Sequence, residues 1–122
     1  MKSAIINGKE YKFMFNANTL ELYFQVFKED LATLMLFEFK NDNKLIMKNQ
    51  RCPRLAYIAN MQAQHSFREL SNRLSMENYM EWLEQFPAGT FFYNVDALKA
   101  VVGGFNENIA ASVEIKNPES QQ

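Results

Sequence analysis

Ile5-Ile6-Asn7-Gly8-Lys9-Glu10-Tyr11-Lys12-Phe13-Met14-Phe15 sets an Asn-Gly pair between two apolar runs. Asn and Gly tolerate positive φ, so this stretch predicts a tight hairpin over residues 3–15. Along its second strand Tyr11, Phe13 and Phe15 share one face, and Lys12 and Met14 share the other. Two strands alone are marginal in water, so the aromatic face needs a cover. The next residues offer one. Asn18 stands where a helix cap belongs, with Glu21 placed to reach back to it. Leu20, Tyr23, Phe24, Phe27 and Leu31 then recur at helical spacing. The expectation is a helix laid directly on the aromatic strand face.

Further along, Leu34-Met35-Leu36-Phe37-Glu38-Phe39 is read as helical, and Lys40-Asn41-Asp42-Asn43-Lys44 as a polar loop. Pro53 suits the first turn of a helix that carries Leu55, Ile58, Ala59 and Met61 and ends around His65 or Phe67. Ser75 is a good cap for the next helix, with Glu77 in its first turn. Met76, Tyr79, Met80 and Leu83 form its main stripe, Trp82 and Phe86 widen it, and Pro87 and Gly89 end it. Asn94 caps a last helix bearing Leu98, Val101, Val102, Phe105 and Ile109, interrupted at Gly103-Gly104. Residues 116–122 read as a flexible tail. With no repeat and no linker, the fold class is α+β, mainly α: an N-terminal β-hairpin followed by four or five short helices. It forms a single domain over residues 1–115, with the helical part at 18–112.

Composition restricts what such a domain does. Its 122 residues include 11 Phe, 5 Tyr, 1 Trp and 7 Met, against 1 His and 1 Cys. Met and aromatic side chains suit irregular contact surfaces, so the balance points to a protein that works by contact. The apolar share of 48% and charged share of 22% are those of an ordinary soluble globular chain, and no membrane partner is expected. Met1-Lys2-Ser3-Ala4-Ile5-Ile6-Asn7-Gly8 turns polar too soon for a secretory signal, and Cys52 has no internal partner for a disulfide.

Charge is unevenly spread. Residues 1–74 hold 11 Lys and Arg against 7 acids, and residues 75–122 hold 2 against 7, so the halves carry +4 and −5. If the halves lie at opposite ends, head-to-tail self-association is favoured; otherwise the split is a matter of solvated surface.

Covalent and metal chemistry find little to use. Cys52 and His65 make a conceivable nucleophile and base, with Arg51 and Arg54 placed to lower the thiol pKa, but Arg51-Cys52-Pro53-Arg54 carries no catalytic signature. His65 and Glu69 have the helical spacing of a metal pair without further ligands, and read better as a surface His beside an acid. Gly103-Gly104 does not match a phosphate-cradling pattern. Hence no catalytic residue, metal or cofactor is expected. Lys40, Lys44, Lys48, Arg51 and Arg54 form a modest basic stretch, but with a net charge of −1 nucleic acid is not the expected partner.

Three segments carry a family likeness: the hairpin Ile6-Asn7-Gly8-Lys9-Glu10-Tyr11-Lys12-Phe13, the helix start Asn18-Thr19-Leu20-Glu21-Leu22, and the helix start Leu74-Ser75-Met76-Glu77-Asn78-Tyr79-Met80. Their order and flavour, over about 100 residues, resemble the tail assembly chaperones of long-tailed, non-contractile bacteriophages (siphophages). That resemblance implies a non-enzymatic protein of the host bacterial cytoplasm, absent from the mature virion. It would bind the tape measure protein, a long helical polypeptide, and keep it soluble until tail-tube subunits polymerise around it. Coating a long client implies several copies, hence self-association into an oligomer. A groove built on the last helices from Met61, Met76, Tyr79, Met80, Trp82, Leu83 and Phe86 is the expected partner-binding surface, with core packing as the competing role for each. The alternatives are a small DNA-associated regulator working through the helices around Arg51 to Arg73, and a structural connector or tail completion component of the virion.

Overall fold

The computed structural model describes residues 1–32, 51–70 and 72–114. The apolar run at 34–39, the polar loop at 40–44, Lys48 and the tail at 116–122 lie outside them. The chain is α+β and mainly α, an N-terminal two-stranded antiparallel hairpin followed by several helices. Strand β1 (Lys2–Ile6) pairs with β2 (Lys9–Phe13) in the register Ile6 to Lys9, Ala4 to Tyr11 and Lys2 to Phe13. Asn7 and Gly8 make the turn at φ 52° and 79°, the left-handed geometry that the dipeptide supplies. Ala4, Ile6, Tyr11 and Phe13 face the core, while Ser3, Ile5, Glu10 and Lys12 face water.

Helix α1 (Asn18–Phe27) begins where expected but is not capped by Asn18. Asn16 does that work: its Oδ1 accepts from the Asn18 N–H at 2.9 Å, and its own N–H donates to Thr19 Oγ1 at 3.0 Å. The helix ends at Lys28, whose left-handed φ of 56° lets its N–H reach the Phe24 carbonyl at 2.8 Å. Its buried face is Thr19, Leu22 and Tyr23, while Phe24 points to solvent.

The rings of the aromatic strand face do not rest on α1: Tyr11 meets Phe86 at 4.9 Å and Phe15 meets Phe105 at 5.8 Å between centroids. Both β2 and α1 pack against α2 (Arg51–Gln64). From Cys52 to Asn60 every residue except Arg54 is buried, so this helix is enclosed on nearly all sides. Its two buried amides tie the neighbours to it. Gln62 accepts from Thr19 Oγ1 at 2.7 Å and donates to Asn16 Oδ1 at 3.0 Å, which closes a ring on the α1 cap. Asn60 donates to the Lys12 carbonyl at 2.8 Å, and the Met14 N–H donates to the Ala59 carbonyl at 3.0 Å.

After α2 come α3 (Phe67–Leu70), α4 (Met76–Leu83), α5 (Thr90–Tyr93) and α6 (Val95–Leu98). A π-helical stretch, Lys99–Gly103, then leads into α7 (Gly104–Glu114). Asn94 caps α6, accepting from the Ala97 N–H at 2.9 Å, as its position in the sequence predicts. The expected interruption at Gly103-Gly104 is where the π stretch hands over to α7. A Cβ at Gly104 would fall 2.8 Å from Lys2 Cγ and 2.9 Å from the Phe15 ring, so the glycine admits those side chains rather than another backbone.

Among the described residues the two charge halves touch. Lys2 Nζ is 2.9 Å from Glu107 Oε1, Asn108 donates to the Phe15 carbonyl at 3.0 Å, and α6 packs on β1. Among the described residues the acidic half thus reaches the basic N-terminus.

Candidate functional site

The partner-binding residues expected from sequence gather around α4, and local chemistry explains its placement. Ser75 Oγ accepts from the Asn78 N–H at 2.9 Å, a regular cap, and the Asn78 side chain donates to the Arg73 carbonyl at 2.8 Å. The Tyr57 hydroxyl, reaching out of α2, donates to that same carbonyl at 3.1 Å. The turn before α4 is therefore pinned to the central helix.

Two of the seven expected residues belong to the interior. Tyr79 is buried against Phe27, 5.0 Å away between centroids, and Tyr57, 5.3 Å away. Trp82 stacks on Phe91 at 5.6 Å, meets Phe86 edge-on at 4.8 Å, and donates its indole N–H to Asn60 Oδ1 at 3.0 Å. Met61, Leu83 and Phe86 are half-buried against this cluster. Met76 and Met80 alone of the seven are open to solvent, 45% and 57% exposed, on successive turns of the outer α4 face. Glu77, Glu81 and Glu84 flank them, all exposed and at helical spacing.

Two clefts meet at Met61 and Trp82. One, of about 370 Å³, lies between β2 and α4 and is walled by Tyr11, Lys12, Gln64 and Gln85. Tyr11 donates to Gln85 Oε1 at 3.1 Å across one end of it. The other, of about 390 Å³, lies on the far side of Trp82 among Tyr57, Arg73, Asn78 and Glu81. Trp82 is common to both clefts and part of the aromatic cluster, whereas Met76 and Met80 stand on the exposed α4 face outside either cleft.

Residues considered for other chemistry are committed elsewhere. Cys52 is buried, and desolvation pushes its thiol from the ordinary 9.0 up to about 12, opposite to the lowering that the flanking arginines suggest. It is therefore a thiol, not a thiolate, near neutral pH. Glu69 Oε1 accepts from the Ser66 N–H at 2.9 Å and so caps α3. That bond is the chief reason its carboxyl titrates below the ordinary value, and His65 Nδ1 stands 3.7 Å away. Among the described residues no group of three potential ligands could hold a metal ion. Of the basic stretch, Arg51 is described 3.4 Å from Glu29, and Arg54 lies 5.1 Å over the Phe27 ring. Among the described residues no helix is long and apolar enough to cross a membrane.

Comparison with known proteins adds no relative: the chain matches no protein family, no curated protein and no solved structure.

Sequence reasoning missed a second exposed apolar group. Ile5, Phe92, Tyr93 and Val95 are 56%, 44%, 82% and 62% exposed. The alternation of β1 already put Ile5 opposite the core residues Ala4 and Ile6, and Tyr93 and Val95 flank the cap Asn94, so the signal was present for these three.

Proposed function

We propose that this chain is a non-enzymatic tail assembly chaperone that binds the tape measure protein and keeps it soluble during tail assembly in the host bacterial cytoplasm, without entering the mature virion. The observation that supports this reading is the exposed pair Met76 and Met80 on the outer face of α4. Their neighbours in the stripe, Tyr79 and Trp82, are held in a fixed aromatic cluster. A client with repeating but inexact amphipathic faces needs a surface that adapts at the rim and stays fixed at the base. Unbranched Met supplies the first, and the ring cluster the second. The acids at Glu77, Glu81 and Glu84 favour a client helix whose apolar stripe is bordered by Lys or Arg. The family resemblance of the hairpin and the two helix starts supplies the identity of the client.

The test is co-expression of the tape measure protein with wild-type chain and with a Met76→Ser/Met80→Ser variant. Each exposed Met that becomes buried on binding contributes about 1–2 kcal/mol, so the double variant is expected to bind about 30- to 700-fold more weakly. Its circular dichroism should match wild type, because neither side chain is part of the core. Retention of the client at wild-type strength would contradict the placement of the surface.

A further inference from the structure

The two edges of the hairpin are treated differently. A two-residue turn makes Ile6 and Lys9 a hydrogen-bonded pair, and antiparallel alternation makes Ala4 with Tyr11 and Lys2 with Phe13 the next two. The backbone groups of Glu10 and Lys12 then point away from β1, and those of Ser3 and Ile5 away from β2. The β2 edge is closed by α2, through Asn60 to the Lys12 carbonyl and the Met14 N–H to the Ala59 carbonyl. Among the described residues nothing hydrogen-bonds to the outward backbone groups of Ser3 and Ile5.

Beside that open edge runs a groove of about 560 Å³ between β1 and the α6–π–α7 helix. Its helical wall presents Asp96, Lys99, Ala100, Gly103 and Glu107. A Cβ at Gly103 would meet nothing within 4 Å, so the wall is open there. Ile5, more than half exposed, lines the strand side of the groove. An uncovered strand edge beside apolar side chains is a site for strand addition.

We propose that the occupant of this edge is a second copy of the chain, β1 to β1, giving a continuous antiparallel sheet of order β2-β1-β1-β2 about a two-fold axis. The charges favour this occupant. The groove carries Lys2 and Lys99 against Asp96 and Glu107, a net charge of zero, so the face meets an identical face without like-charge excess. The outer α4 face, with Glu77, Glu81 and Glu84, would instead repel its own copy, so self-association through β1 leaves that face free. An axis at Ala4 sets Ser3 of one copy opposite Ile5 of the other, with the small Ala4 side chains adjoining at the axis.

The test is the mass of the full chain in solution by light scattering at micromolar to high-micromolar concentration, with amide hydrogen exchange read at Ser3 and Ile5. The expected result is a species of twice the 14.3 kDa chain mass, with both amides protected. Ile5→Lys is expected to raise the dissociation constant by about 30-fold or more, since each dimer loses two buried Ile contacts and gains two charges. Ser3→Pro deletes an outward N–H on an edge strand, where Pro is tolerated, and should weaken the dimer independently. Unchanged circular dichroism of either variant separates loss of pairing from loss of fold. A wild-type chain that stays monomeric at high-micromolar concentration overturns the proposal. So does a dimer indifferent to both substitutions, or a monomer whose β1 amides become protected only when an extended client peptide is added.

Discussion

Replacing Asn60 by Ala tests the packing logic of the candidate site most sharply. Asn60 is buried and makes three side-chain hydrogen bonds: to the Lys12 carbonyl at 2.8 Å, from Trp82 Nε1 at 3.0 Å and from Gln64 Nε2 at 2.6 Å. Asn60→Ala strands the indole N–H inside the cluster, at about 1–3 kcal/mol, and leaves a partly buried carbonyl short of a partner, at about 1 kcal/mol. Gln64 is exposed and turns to water at little cost. The sum is about 2–4 kcal/mol, a large share of the roughly 5–15 kcal/mol that holds a domain together. With a urea m-value of about 2 kcal/mol/M, the unfolding midpoint should fall by about 1–2 M. Trp82 is the chain's 1 Trp, so its fluorescence reports both unfolding and any loosening of the native site. Gln64→Ala, which removes only the outer bond, should stay within about 0.5 kcal/mol of wild type. An Asn60→Ala variant as stable as the Gln64→Ala one would refute the claim that this amide joins β2, α2 and α4.

Other consequences are equally direct. Trp82→Ser should cost about 3–5 kcal/mol and lower the thermal midpoint before any question of binding arises, whereas Met80→Ser should leave thermal stability within about 0.5 kcal/mol. Stability should be flat through neutral pH and fall above about pH 9. Burial raises the Cys52 thiol from 9.0 to about 12 and raises the Tyr23, Tyr57 and Tyr79 phenols above 10.0, so the unfolded chain releases these protons first. Urea titrations from pH 7 to pH 11 should show this loss, reduced in Tyr23→Phe; a flat profile would contradict the burial of these groups. Gly104→Ala should destabilise by about 1 kcal/mol because its methyl meets Phe15 and Lys2, while Gly103→Ala, with open space around it, should be neutral or stabilising by up to about 1 kcal/mol. Thermal melts should place Gly104→Ala below wild type and Gly103→Ala at or above it if the helix sits on β1 as described.

What the chain's letters announce is mostly local. The Asn7-Gly8 turn, the Ser75 cap and the Asn94 cap are each decided within four residues, and each stands where its chemistry puts it. The cap of α1 shifted from Asn18 to Asn16 because Asn16 gains a second bond, to Gln62, from a part of the chain 46 residues away. The packing of β2 on α2 was illegible for the same reason. α2 hides its all-round burial behind Asn60 and Gln62, which read as solvent-facing until their partners on β2, α4 and α1 are known. In the candidate site, periodicity marked the apolar arc of α4 but not which edge meets water. An eight-residue helix with one broad apolar arc leaves that to Phe27, Tyr57 and Phe91, the rings that receive Tyr79 and Trp82. The exposure of Ile5 followed from strand alternation, but the openness of its edge depends on α2 closing the other one.

In the function proposed above, the chain holds a long helical client in solution. The measurement that meets it directly is the soluble yield of the tape measure protein expressed with and without this chain, followed by the mass of the recovered complex by light scattering. The expected result is a client that is insoluble alone and soluble in a complex carrying several copies of the chain. A client whose solubility does not depend on the chain, or a complex of one copy per client, would contradict it.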